Sequence, residues 1–287
     1  MFTPTNNDSL SYVRKITIVG TGNVGTHLFK AFSALPDVMV MTPDNPDGIS
    51  AMHPGDNPGL DILEVANVSS RSLEGLPAMS DLILIAVKDD AIAEVASRLS
   101  GKARIMAHTS GSTPMDILRP YAENFGVFYP LQTFSKEKEL IYREIPFFIE
   151  GSSEASAERL FKVARLISQH VFDADSDKRK SLHIAAVFAC NFANHLVGIA
   201  DDILGENGMD YRVLLPLIRE TVAKLEVLHP HEAQTGPAVR NDSNVISSHQ
   251  QMLASNPMWS TIYDLLSRSI AKTRLDYTHQ SSPASKM

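Results

Sequence analysis

The chain has 287 residues, 44% hydrophobic and 21% charged, with 26 Lys and Arg against 33 Asp and Glu for a formal net charge of −7. This is globular composition at a length that suggests two domains. The acidic balance and the lack of any basic run argue against nucleic acid as a partner. Cys190 is the single cysteine, which excludes an internal disulfide framework and fits a reducing compartment.

The N-terminal stretch Met1 to Ser11 is polar and lacks the apolar core of a signal peptide. The longest uniformly apolar runs, such as Leu82 to Val87, are too short to span a bilayer. A cytoplasmic protein with no membrane association is the expectation.

Ile16-Thr17-Ile18-Val19 reads as a short strand that opens directly into Gly20-Thr21-Gly22-Asn23-Val24-Gly25. Thr26 to Leu35 then reads as an amphipathic helix, with Leu28, Phe29 and Phe32 at helical spacing. Strand, G-x-G-x-x-G and helix in that order predict a dinucleotide pyrophosphate site. The first glycine permits the tight turn, the second lets phosphate approach the backbone, and the third allows close helix–strand packing. The helix N-terminus offers unpaired N–H groups to the anion.

Val38 to Met41 reads as a second strand, followed by turn formers from Thr42 to Gly48 and an excursion reaching Leu60. Leu82 to Val87 has the continuous apolar character of a parallel strand buried on both faces. A helix is expected over Ala91 to Leu99. Strands follow at Arg104 to Ala107, Val127 to Tyr129 and Pro146 to Ile149. This alternation predicts an α/β fold with an open, mostly parallel sheet.

After Gly151 the pattern changes. Ala155 to His170 is helical, and Val171 to Asp173 is a last short strand. Further helices are expected over Asp177 to Leu204, Tyr211 to Leu228, Asn244 to Ala254 and Pro257 to Tyr277. The predicted division is a nucleotide-binding domain over 1–175 and an all-helical domain over 176–287.

Ligands of open α/β sheets lie beyond the carboxyl ends of the strands. There the sequence places the glycine turn, Val87 and Lys88, His108-Thr109-Ser110-Gly111-Ser112, and Tyr129-Pro130-Leu131-Gln132-Thr133-Phe134. Such hydroxyls, amides and a histidine suit a nicotinamide ribose and a polar substrate. Ser110 and Ser112 equally suit a structural role capping turns. Ser110 does not sit in a G-x-S-x-G nucleophile elbow.

The helix from Asp177 carries His183, Asn191, Asn194 and His195 in an otherwise apolar sequence. At 100° per residue Asn194 falls about 20° from His183 and Asn191 about 80°, which puts three of them on one face. A histidine there can serve as general acid or base, or as a hydrogen-bonded core residue. Arg240, in a loop of turn formers, can clamp a carboxylate or phosphate, or pair with Asp242. His229-Pro230-His231-Glu232 has metal-ligand residue types, but Pro230 breaks the spacing of a helical zinc motif, so a solvated loop and no metal are expected.

Four segments together resemble one bacterial family: His108 to Ser112, Tyr129 to Phe134, Ser181 through Asn191, and Thr235 to Asp242. It is the Rossmann-like, NADP oxidoreductase-like family (the coenzyme F420, or deazaflavin-dependent, type), with a helical C-terminal domain of unknown function. The resemblance covers nearly the whole chain. It implies kinship with the 6-phosphogluconate dehydrogenase-like group, which includes pyrroline-5-carboxylate and ketopantoate reductases. It also implies a homodimer through the helical domain and a small-molecule substrate bound between the domains. In these terms His183 and Asn191 are the catalytic candidates, and Ser110, Gln132, Asn194 and Arg240 the substrate contacts.

Two departures stand out. Related dehydrogenases carry a catalytic lysine one turn before an asparagine; if Asn191 is that asparagine, the lysine position is Val187. Tyr129-Pro130 stands where relatives carry His-Pro. The cofactor has two readings. Asp44, beyond the glycine turn, would take a ribose 2′-hydroxyl and favour NAD. Arg71, in Ser69-Ser70-Arg71-Ser72, resembles the Ser-Arg ending of the second strand in NADP-using relatives and would meet a 2′-phosphate. The balance favours NADP, with the excursion then an insertion before the true second strand.

Overall fold

The computed structural model describes residues 13–36, 38–42, 45–50, 63–71, 73, 76 and 79–280. Asp44 and Ser72 lie outside the described residues.

The chain forms two compact units, 1–191 and 192–287. In the first, β1 (Lys15–Val19) leads into α1 (Asn23–Ser33), then β2 (Val38–Thr42), β3 (Asn45–Ser50), β4 (Leu63–Val68) and β5 (Ser80–Ile85). There follow α2 (Ile92–Arg98), β6 (Ala103–His108), β7 (Phe125–Pro130), β8 (Phe147–Gly151), α3 (Glu154–Ile167), β9 (Val171–Asp173) and α4 (Ser176–Ala186). Among the described residues the strands form one sheet in the order β3-β2-β4-β1-β5-β6-β7-β8-β9. The run from β2 to β7 is parallel, whereas β3 is antiparallel to β2 and β8 to β7.

β5 is buried on both faces, as its apolar run requires. Leu82 and Leu84 point into a core with Leu28 and Phe32 of α1 and Leu160 and Val163 of α3. Ile83 and Ile85 point into a second core with Ile92, Val95 and Leu99. The two-residue period of a strand sends alternate side chains to opposite layers, so one continuous hydrophobic run feeds both.

The strand beside β1 is β4, with Val19 opposite Val68, while β2 lies one place further out. The expected second strand therefore exists but is not β1's neighbour. This is the arrangement in which the segment after β2 is an insertion, and Ser69-Ser70-Arg71 leaves the sheet next to the glycine turn.

Asp175 caps α4 by accepting from Lys178 N. The helical run continues from Ser176 to Gly205 through a π-helical segment, Val187–Phe192, and α5 (Ala193–Gly205). The expected boundary at 175/176 falls at the start of this run; the two units divide within its π segment. The wider π turn breaks the 100° progression, so angles read from an ideal helix do not apply beyond Val187. With 30 residues and a mean hydropathy of 1.5 over its most apolar window, the run is long and apolar enough to cross a membrane. Scanning for unbroken apolar stretches missed it because polar residues punctuate it.

In the second unit, Tyr211–Leu214 forms a 3₁₀ turn before α6 (Leu215–Lys224), α7 (Pro230–Ala233), α8 (Pro237–Arg240), α9 (Ser243–Met252) and α10 (Pro257–Gln280). Pro230, expected in a loop, begins α7; proline suits a first helical position because the N–H it lacks would have no intrahelical partner there.

Candidate active site

The glycine turn is tied to both neighbouring strands: Gly20 N donates to Val68 O at 2.9 Å, and Ala86 N donates to Val19 O at 2.8 Å. Gly20 adopts φ 130°, a conformation that favours glycine. A Cβ on Gly20 would sit 2.2 Å from Ala86 O, and one on Gly25 would sit 1.9 Å from Gly20 O. At Gly22, by contrast, a Cβ would meet nothing within 4 Å. Gly22 is the N-cap of α1 and has no side chain with which to cap it. The first N–H groups of a helix have no intrahelical partner, and no side chain caps them here.

Gly22 lines a cleft of about 950 Å³. Its wall follows the carboxyl ends of adjacent strands: Ser70 and Arg71 after β4, Gly20 to Val24 after β1, Ala86 to Lys88 after β5, and Thr109 after β6. Glu94 and Arg98 of α2 complete its charged lining. A volume near the top of the range for small-molecule sites, an open phosphate approach at Gly22 and cations at the β4 end fit an extended dinucleotide. The expected residues Gly20, Thr21, Gly22, Asn23, Val24, Arg71, Val87 and Lys88 all line it.

His108 does not line the cleft. It is fully buried, with Nδ1 accepting from Ser110 N at 3.2 Å and Nε2 3.4 Å from Pro114 O. Burial, and then the charge of Arg179, lowers its pKa to about 4, so it is a neutral imidazole bracing the 109–114 turn. Ser110 is engaged in the same turn, its Oγ accepting from Ser112 N at 3.2 Å and Thr113 N at 2.9 Å. Thr109, not singled out in the sequence, is the residue of this segment that reaches the cleft.

One strand further along the sheet, at the end of β7, Tyr129 Oη lies 3.2 Å from His183 Nδ1 of α4, with the rings edge to face at 6.1 Å. Gly111 packs against both. Beneath lies Arg179, fully buried, its Nη1 paired with Glu150 and its Nη2 donating to Thr113 O at 2.6 Å. Burial raises the Tyr129 hydroxyl above the ordinary tyrosine range, and the Arg179 charge opposes that rise. The sequence identified His183 but neither its partner Tyr129 nor the buried Arg179–Glu150 pair, because both pairs are made across the sheet layer.

Gln132 is exposed, its Oε1 accepting from Thr133 N at 2.7 Å. Asn191 is exposed in the π segment; exposed Asn194 and Arg240 belong to the second unit. Asp242 does not pair with Arg240 among the described residues but caps α9, accepting from Val245 N.

Residues 1–132 match the model of a Rossmann-like domain, and residues 145–270 that of a domain of unknown function, DUF2520. A Bacteroides fragilis protein assigned as an NADP oxidoreductase is 38% identical, with a TM-score of 0.76 over 90% of this chain and 97% of its own. The chain belongs to this Rossmann-like/DUF2520 family. Two further solved structures share the fold: a Thermotoga maritima protein (21% identity, TM-score 0.64, 92% and 99% covered), and 1-pyrroline-5-carboxylate reductase from Streptococcus pyogenes (14%, 0.53, 90% and 98%). An imine reductase from Myxococcus stipitatus, solved in complex with NADP⁺, aligns at 14% identity and a TM-score of 0.50 over 93% of this chain and 95% of its own. No curated protein matches the chain.

Proposed function

We propose that the chain is an NADP-dependent oxidoreductase acting on a small polar substrate at the carboxyl edge of its sheet. The observation that carries this reading is the open approach at Gly22, set before an uncapped helix N-terminus with Arg71 at the adjacent strand end. The assignment of the 38%-identical Bacteroides fragilis protein supports it. The Gly20 to Gly25 turn and the start of α1 would hold the pyrophosphate, and Arg71 the 2′-phosphate. Val87, Lys88 and Thr109 would flank the nicotinamide end.

A bound reduced nicotinamide supplies two electrons and a hydrogen as hydride. His183, hydrogen-bonded to Tyr129 next to the β6 end, handles the accompanying proton. Exposed Asn191 would assist His183, and exposed Gln132 would contact the substrate. Fluorescence titration with NADPH and NADH tests the first step; absence of binding to either at millimolar concentration refutes it.

Val187, at the lysine position of related dehydrogenases, favours a second reading, a nucleotide-binding sensor without turnover. It predicts NADPH binding, but no hydride exchange with keto acids, imines or deazaflavin.

The second unit exposes the large apolar side chains Val213, Leu217, Val222, Leu225 and Leu265, residue types that are more often buried. This supports a homodimer built on that unit, with a dimeric mass in light scattering as the expected result. A monomeric mass refutes it; recovery of the protein only with detergent would mark the Ser176–Gly205 run as membrane-inserted.

A further inference from the structure

Arg98 lies at the end of α2 on the cleft wall and spends its guanidinium on backbone. Nη1 donates to Ser70 O at 2.8 Å and Nη2 to Arg71 O at 2.9 Å. The fork thus clasps two successive carbonyls of the segment that presents Arg71. That segment is otherwise a tight turn: Leu73 N donates to Ser69 O at 3.0 Å, and Arg71 N donates to Ser69 Oγ at 3.2 Å. Leu73 itself sits at φ 51°, left-handed geometry that a bulky side chain rarely adopts and that surrounding bonds must enforce.

We propose that Arg98 is the positioning residue that makes this cleft selective for a nucleotide carrying a 2′-phosphate. This rests on the dinucleotide reading above. A planar fork that chelates two carbonyls fixes their direction in a way a single ammonium cannot. It also offsets the negative ends of those carbonyls, which would otherwise weaken the field that Arg71 offers an anion. The charged lining supports this: among the described residues, Arg71, Lys88 and Arg98 stand against Glu94 alone. Three cations to one carboxylate suit a phosphomonoester, whereas a bare ribose hydroxyl is served by a carboxylate.

A purely structural tie between α2 and the β4 turn would affect fold and all nucleotides alike, so the test compares probes that differ only in the 2′-phosphate. Calorimetric titrations with 2′,5′-ADP and 5′-AMP are made on the whole protein, on Arg98→Ala, on Arg98→Lys and on Arg71→Ala, with melting temperatures alongside. Wild type is expected to prefer 2′,5′-ADP. Arg98→Ala should lose about tenfold in 2′,5′-ADP affinity, worth one hydrogen-bonded contact, while 5′-AMP stays within about twofold. Arg98→Lys keeps the charge without the fork and should remain close to Arg98→Ala.

Equal losses on both probes overturn the proposal, and so does full recovery in Arg98→Lys, which would make the effect one of charge alone. Wild type binding NADPH and NADH equally overturns selectivity yet leaves the dinucleotide reading standing. Binding of neither overturns that reading as well.

Discussion

Tyr129 Oη and His183 Nδ1 lie 3.2 Å apart because the residue between their chains is glycine. A Cβ on Gly111 would stand 2.7 Å from His183 Nδ1 and 2.8 Å from Tyr129 Cζ. Gly111→Ala must therefore push the pair apart, at a cost of about 1–3 kcal/mol for overpacking. The expected outcome is a lower urea midpoint together with displaced NMR signals of the His183 and Tyr129 rings. Unchanged ring signals would show that Gly111 does not set the contact between the pair.

Tyr129→Phe keeps the packing and deletes the hydroxyl. NADPH affinity should be unchanged, since Tyr129 does not line the nucleotide cleft. On a carbonyl or imine substrate that wild type reduces, turnover should fall by about 10²-fold or more if the pair transfers the proton. Steady-state rates and fluorescence titration separate the two effects.

The three glycines of the turn should respond differently to alanine. Gly20→Ala and Gly25→Ala force a Cβ to within 2.2 and 1.9 Å of backbone oxygens. Both should lower the melting temperature. Gly22→Ala has free space around it, so stability should hold while NADPH binding weakens, because the methyl group occupies the phosphate approach. Thermal melts and nucleotide titrations on the same three proteins decide the matter.

His108 makes the fold acid-sensitive. Its pKa is about 4 in the folded protein against an ordinary 6.5, so between these values the unfolded chain holds the extra proton. Its contribution is complete above pH 6.5 and is lost progressively as the pH falls towards 4, by up to roughly 3 kcal/mol. Urea midpoints at pH 7 and pH 4.5 should differ more in wild type than in His108→Gln.

Glu150 is the counter-charge of a fully buried arginine and also accepts from Ser176 N at 3.0 Å. Glu150→Ala strands the Arg179 charge, and removal of one partner of such a pair costs about 3–5 kcal/mol. Arg179→Met made in the Glu150→Ala background should recover part of that loss. Denaturant unfolding of the single and double variants tests both statements.

The phosphate turn was legible in the sequence because every constraint on it is local. Gly20, Gly22 and Gly25 sit between a strand and a helix within one short segment, and their backbone requirements follow from that order. β5 was legible for a similar reason, since a run buried on both faces needs no polar alternation. The π geometry of the six residues Val187 to Phe192 was not legible, because propensity does not encode it. His108 and Ser110 looked like ligands by residue type, but their polar atoms are engaged in bracing one turn. Arg98 carried no signal at all, as an arginine on an exposed helix end is ordinary.

By itself, the sequence determined that a strand, a glycine turn and a helix follow one another near the start of this chain and that helices follow the sheet. Whether Asp44 or Arg71 follows the strand beside β1 was decided only by tertiary structure. Both residues follow segments capable of forming strands, and local propensity ranks neither. Pairing across the sheet brought β4, not β2, alongside β1 and so set Arg71 and its Arg98 clasp on the cleft wall. The same sheet layer carried Tyr129 to His183, a meeting of residues distant in sequence that no spacing rule could supply.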